Sequence, residues 1–240
     1  MPRPRQHRAE VTRQAILDGA AVAFDRSGFG GTSLSDVVKH AGVTKGALYF
    51  HFPSKEALAR TLMAEQLRVA DLVPTGPETP SPGITGPEAS SRGTTGADTT
   101  SPNPTGPGLQ TVIDLTHHMA HGLRSDTRIR AGIRLVIEFG SFTDPDPSPY
   151  EGWIDICIKC LTPAQDRGDL HRSLDVHALS TYLVGAFTGI QVTSHVRTGR
   201  TDLHDRVVDL WNLTLPAIVP ADRLAQFDPA GSPECRAART

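Results

Sequence analysis

Residues 74–108 read "PTGPETPSPGITGPEASSRGTTGADTTSPNPTGPG", with eight Pro and seven Gly in thirty-five residues and no aromatic side chain. Proline removes backbone donors and glycine adds chain entropy, so neither a helix nor a strand can run through such a stretch. Almost nothing in it can be buried to offset the cost of ordering it, and the segment is expected to be disordered. A random coil of that length spans roughly 30–35 Å and can loop out between neighbouring elements without constraining them. The rest of the chain must therefore build its cores from what lies on either side.

On both sides the apolar period is helical, and no alternating strand pattern appears. Ile16, Ala20 and Phe24 mark a first helix that should end near Gly28. Leu34, Val37 and Val38 mark a short second one, with Thr32 or Ser33 as its cap. Further stripes run through Val112, Thr116, Met119 and Leu123, and through Ile129, Ile133, Val136 and Ile137. Others follow Tyr150, Trp153, Ile154, Cys157, Leu161 and Ala164, then Leu179, Leu183, Phe187 and Ile190, then Leu203, Val207, Leu210, Trp211 and Ile218. The expectation is an all-α protein of about nine helices. Its parts would be a head over 1–53, a connecting helix over 54–73, the linker over 74–108, a helical body over 109–225 and a disordered tail over 226–240.

Charge divides along the same line. Residues 1–68 carry ten Lys/Arg against six Asp/Glu, and residues 69–240 carry fourteen against twenty. A basic head on an acidic body suits a head that meets an anion. Three cysteines are too few for a disulfide framework, and the basic N-terminus has no apolar run behind it. No stretch approaches the roughly 18 apolar residues of a membrane span. A cytoplasmic protein with no membrane partner is expected.

The head carries the densest signal, "GVTKGALYFHFPSKEAL" at 42–58. "LSDVVKH", then "AGV", then a helix opening at Thr44 is the spacing of a helix-turn-helix, with Gly42 supplying the turn. Thr44 caps the second helix, whose free N–H groups suit a phosphate. Lys45 adds a cation, Gly46 permits close backbone approach, and Tyr49 and His51 offer polar tips. Ser54 caps a further helix that opens with Lys55. Arg3, Arg5 and Arg8 form a basic arm ahead of the first helix. Thr32, Thr44, Lys45, Gly46, Tyr49, His51, Lys55 and the three arginines are the candidate contacts to double-stranded DNA.

Residues 8–66, and "TSLSDVVKHAGVTKGALYFHFPSKEALA" above all, resemble the DNA-binding domain of the TetR family of bacterial repressors. "IRAGIRLVIE", "PYEGW" and "LVGAFTGIQVTSHVRTGRTDL" resemble the gamma-butyrolactone receptors, the autoregulator-binding branch that controls antibiotic production. The inserted 74–108 linker departs from that pattern. The resemblance implies a dimeric repressor on a pseudo-palindromic operator, with a helical ligand-binding domain whose last two helices form the homodimer. It also implies release by a small hydrophobic ligand of gamma-butyrolactone type. Small residues at Gly185, Ala186, Thr188 and Gly189 allow the close helix approach a dimer needs. Trp153, in its "PY..W" setting, would line the ligand cavity, and Gln66 and Thr188 match ligand-contacting positions of that branch. Trp153 on its apolar stripe also reads as a core residue.

Other constellations are weaker. "CIKC" at 157–160 has redox spacing, but it lies on a helical stripe with no second ligand pair, so core thiols are expected. His117 and His121 stand four apart without a third ligand. No cofactor loop, metal set or nucleophile–base signature is present, and no enzyme is expected. Two alternatives stand beside the repressor. One is a pseudo-receptor that binds DNA but answers antibiotics or no lactone; the other is a helical-bundle redox protein using Cys157 and Cys160.

Overall fold

The computed structural model describes residues 4–66, 107–139 and 146–238, with side chains from residue 6 onward. Most of the 74–108 linker, residues 67–73 of the expected connecting helix and Arg3 lie outside the described residues. Ten α-helices follow one another within them: α1 (Pro4–Gly31), α2 (Leu34–Ala41), α3 (Lys45–His51), α4 (Lys55–Glu65), α5 (Leu109–Ser125), α6 (Thr127–Phe139), α7 (Ser148–Asp166), α8 (Val176–Thr198), α9 (Leu203–Ile218) and α10 (Pro233–Ala237). The described residues contain no strand.

Local chemistry sets the boundaries. Ser33 is the cap of α2: its Oγ accepts from the Asp36 N–H while the Asp36 carboxylate accepts from the Ser33 N–H, a reciprocal box. Gly42 then takes φ 64°, a left-handed conformation that favours glycine, and turns the chain into α3. The Thr44 hydroxyl accepts from the Ala47 N–H, and the Ser54 hydroxyl from the Ala57 N–H, so α3 and α4 both start on side-chain caps. The regular run of the first helix breaks at Gly28, as its position suggests: Gly28 takes φ 68° and ψ −177°, outside the helical region, and a short second helical piece runs from there to Gly31.

Two apolar cores result. One gathers Leu109, Val112, Ile113, Leu123, Leu161, Leu203, Val207 and Trp211 from α5, α7 and α9. The other gathers Ile16, Leu17, Phe24, Val37, Leu48, Phe52, Leu58 and Leu62 from α1 to α4, and it also takes Ala131, Leu135, Val136 and Phe139 from α6. The head is therefore closed by a helix of the body. At the crossing, Gly132 of α6 lies so near the Leu62 carbonyl of α4 that a Cβ there would stand 2.8 Å from it.

The chain after Gln226 is not the loose tail its composition suggests. The Gln110 side chain of α5 donates to the Asp228 carbonyl at 3.2 Å and accepts from the Asp228 N–H at 2.9 Å. Asp114 accepts from the Ser232 N–H at 2.7 Å, and Cys235 of α10 is buried. Polar side chains of α5 satisfy this segment's backbone, so it needs little apolar surface of its own to stay packed.

Candidate functional site

Helix α3 is anchored by Leu48, which is fully buried, and by Phe52 just beyond its end. With those two positions facing in, Lys45, Gly46, Tyr49 and Phe50 face out, and His51 is half-buried. The space above Gly46 is open. This is one continuous outward face, opening on a capped helix N-terminus and carrying a cation and two aromatic rings. Phe50 is 80 % exposed and its ring meets the His51 ring edge-to-face at 5.0 Å. Sequence reasoning passed over Phe50, although the four-residue spacing of Leu48 and Phe52 already turns it outward.

Two of the expected contacts, Thr32 and Lys55, are instead engaged within the head. Thr32 is 3 % exposed, and its hydroxyl is directed at the Gly28 carbonyl at 2.7 Å and the Ala23 carbonyl at 3.0 Å, so it ties down the end of α1. The Lys55 ammonium donates to the carbonyls of Phe29 at 2.9 Å and Thr32 at 3.1 Å and sits 4.2 Å from the centroid of the Phe29 ring. It binds α4 to the end of α1 rather than facing outward. The basic arm is also not a free arm from Pro4 on: Arg5 and Arg8 stand in the first turns of α1, with Arg8 exposed.

The body holds a cleft between α5, α6, α7, α8 and the end of α4, with about 710 Å³ of atom-free space, part of it open to solvent. Trp153, Gln66 and Thr188 all line it. Most of its wall is apolar, including Val112, Met119, Ile133 and Phe187. Its polar groups are few. Gln66 is 1 % exposed, and its Oε1 has no hydrogen-bond partner among the described residues. Thr188 donates back to the Val184 carbonyl at 2.8 Å, which leaves its oxygen able to accept. Burial pushes the Tyr150 phenol above its ordinary value, so it enters the cleft as a neutral O–H. Gln191, 2 % exposed, is another lining residue that the sequence alone did not bring out.

Cys157 is on the wall, and burial together with neighbouring Cys160 pushes its thiol up to about 12. Burial pushes Cys160 up to about 11. Both are protonated at neutral pH, which is the reverse of what a redox dithiol needs. His117 is buried with Nε2 2.9 Å from the Pro229 carbonyl oxygen. No group of three or more His, Cys, Asp or Glu suited to a metal ion occurs among the described residues.

Helix α6 joins the two regions. Ile133, Val136 and Ile137 face the cleft. From the same helix, Arg128 pairs with Asp18 at 2.7 Å, Arg130 with Asp25 at 2.9 Å, and Arg134 donates to the Asp25 carbonyl at 2.7 Å. Glu138 accepts from the Phe29 N–H at 2.6 Å. A displacement of α6 by a cleft occupant would thus act on α1 directly.

Residues 16–62 match the model of bacterial regulatory proteins of the tetR family, and residues 107–220 match the tetracyclin repressor-like C-terminal domain. The A-factor receptor protein of Streptomyces griseus is 34 % identical over 227 residues, 95 % of this chain and 71 % of the relative. The chain belongs to the TetR family. Among solved structures, the full-length TetR regulator TylP of Streptomyces fradiae superposes with a TM-score of 0.72 at 32 % identity, covering 98 % of this chain and 91 % of that one. A gamma-butyrolactone receptor described as ArpA-like superposes with a TM-score of 0.66 at 29 % identity, covering 97 % of this chain and 98 % of that one. This TetR protein is a DNA-binding repressor by type, and its homologues are transcriptional regulators rather than enzymes. No described helix is long and apolar enough to cross a membrane.

Proposed function

We propose that the protein is a dimeric repressor released from its operator by a small hydrophobic autoregulator of gamma-butyrolactone type, and that it controls antibiotic production. The observation that carries the ligand half is Gln66. A buried amide oxygen without a partner costs about 1–3 kcal/mol, and this residue lines a mostly apolar cleft. A ligand that offers an O–H to Gln66 and an alkyl chain to Met119, Ile133 and Phe187 removes that cost on binding. Trp153 would pack on the chain, with its indole N–H free to donate to a lactone or hydroxyl oxygen.

Gln66 follows α4, the helix that opens behind the recognition helix, and α6 borders the same cleft. Occupancy therefore bears on both connections to the head. A hundredfold loss of operator affinity requires about 2.7 kcal/mol of differential binding, within the ordinary range of coupling energies.

For dimerisation, Tyr182, Val192 and Val196 of α8 and Leu213 of α9 are exposed apolar side chains. Gly185 and Gly189 lie on the same stripe of α8 with open space above them. A second copy packed on this stripe, through α8 and α9, would cover it and space two recognition helices for two half-sites.

The test is a mobility-shift titration of the full chain on DNA from its own upstream region, repeated with a synthetic gamma-butyrolactone bearing a hydroxymethyl group and an alkyl side chain. The reading requires a shifted complex that the lactone dissolves at micromolar concentration. A complex that withstands the lactone but yields to an antibiotic would make the protein a pseudo-receptor.

A further inference from the structure

Phe50 stands out on the outward face of α3. The residue is 80 % exposed, more than Tyr49 beside it at 48 %. The two other large apolar residues of this stretch, Leu48 and Phe52, are buried, so the head has no packing use for the ring. One edge of it meets the His51 ring, with centroids 5.0 Å apart and planes at 87°. Side chains on a helix lean toward its N-terminus, so the ring points back over the turn that holds Gly46. Gly46 presents only backbone there, with open space above it. One flank of the ring is thus left clear beside the end of the helix that enters a groove first.

From this geometry we infer that Phe50 reads the C5-methyl group of a thymine in each operator half-site. The inference rests on the operator reading above. A phenyl ring has no donor or acceptor for a phosphate or a polar base edge. In the major groove, the thymine methyl is the one apolar group by which a base pair identifies itself. The exposed Lys45 ammonium on the same face is a cation that a phosphate or a polar base edge can attract, which the phenyl ring is not. Phe50 therefore adds selectivity for T at one step.

The experiment selects duplexes from a random library with the full chain. Each thymine of the selected half-site is then replaced singly by deoxyuridine, which removes only the methyl, and binding is followed by fluorescence anisotropy for wild type and Phe50→Ala. One deoxyuridine position should weaken the wild type about three- to ten-fold, the scale of one buried methyl, and leave Phe50→Ala unchanged. Selection with Phe50→Ala should lose its preference for T at that position alone, and Phe50→Leu should restore part of it. An unchanged melting midpoint shows that the variant is folded, as expected for so exposed a ring. The inference is overturned if no deoxyuridine weakens the wild type, if the same one weakens Phe50→Ala equally, or if Phe50→Ala instead loses dimerisation. A wild type that enriches no sequence overturns the operator reading itself, a result recognisable before any variant is made.

Discussion

Gly132 on α6 meets the backbone carbonyl of Leu62 on α4, with no room between them for even a methyl group. These are the two helices that run from the cleft to the head. Gly132→Ala should force them apart and destabilise the fold by about 1–3 kcal/mol, as small-to-large changes in tight packing do. Because α4 follows directly on the recognition helix, operator affinity should fall as well. Thermal unfolding and anisotropy on one preparation check both. An unchanged melting midpoint and affinity would mean that the crossing relaxes freely.

Gln66→Leu should separate function from stability. Removing an amide whose Oε1 is buried without a partner relieves a penalty of about 1–3 kcal/mol, so the ligand-free protein should melt higher. Operator binding should persist, and release by a hydroxylated lactone should fail. Trp153→Ala differs: it removes an apolar wall worth about 3 kcal/mol to a ligand, roughly a hundredfold in the concentration needed, without raising stability. A Gln66→Leu protein that melts lower and still releases DNA normally would contradict this.

Lys45 and Lys55 are near neighbours in sequence, but Lys45 faces outward and Lys55 is held against the end of α1. Lys45→Ala should leave the melting midpoint alone and reduce the slope of log affinity against log salt by about one per half-site. Lys55→Met should leave that slope unchanged and cost about 1 kcal/mol or more of stability, because two carbonyls and the Phe29 ring lose their cation. A salt series and a melt for each variant decide it.

Thiol chemistry should be nearly silent in the folded protein. With Cys157 at about 12 and Cys160 at about 11, about one thiol in ten thousand and one in a thousand is ionised at pH 8. The thiolate is the reactive form, so alkylation of both should be far slower than that of a free cysteine and should rise with pH toward 11. Mass spectrometry after timed iodoacetamide treatment at pH 7, 8 and 9, under native conditions, measures this. Rapid modification at pH 7 would revive the redox reading of "CIKC".

The helices and the reading head were legible because their signals are local. Ser33, Gly42, Thr44 and Ser54 are caps and turns that need only their own neighbours. The cleft was legible through Trp153, Gln66 and Thr188 because a family resemblance picked those positions out. Contacts distant in sequence were not legible. Gln110 and Asp114 hold the C-terminal segment from 118 residues away, and no composition of that segment reveals its anchors. Lys55 and Thr32 look like surface groups in a basic, hydroxyl-rich stretch, and only the position of the Phe29 carbonyl and the end of α1 turns them inward. Arg128 and Arg130 of α6 likewise meet Asp18 and Asp25, more than a hundred residues earlier in the chain.

The head borrows Ala131, Leu135, Val136 and Phe139 from α6 to close its core. The boundary between reader and sensor therefore does not coincide with a boundary in the sequence. Anyone who grafts this head onto another sensor, or this sensor onto another head, cuts through a shared interior. Such a chimera must carry the α1-facing side of α6 along with residues 4–66, even though those side chains come from the other half of the chain. In evolution the same constraint makes α6 answerable to two masters, the head core on one flank and the cleft on the other.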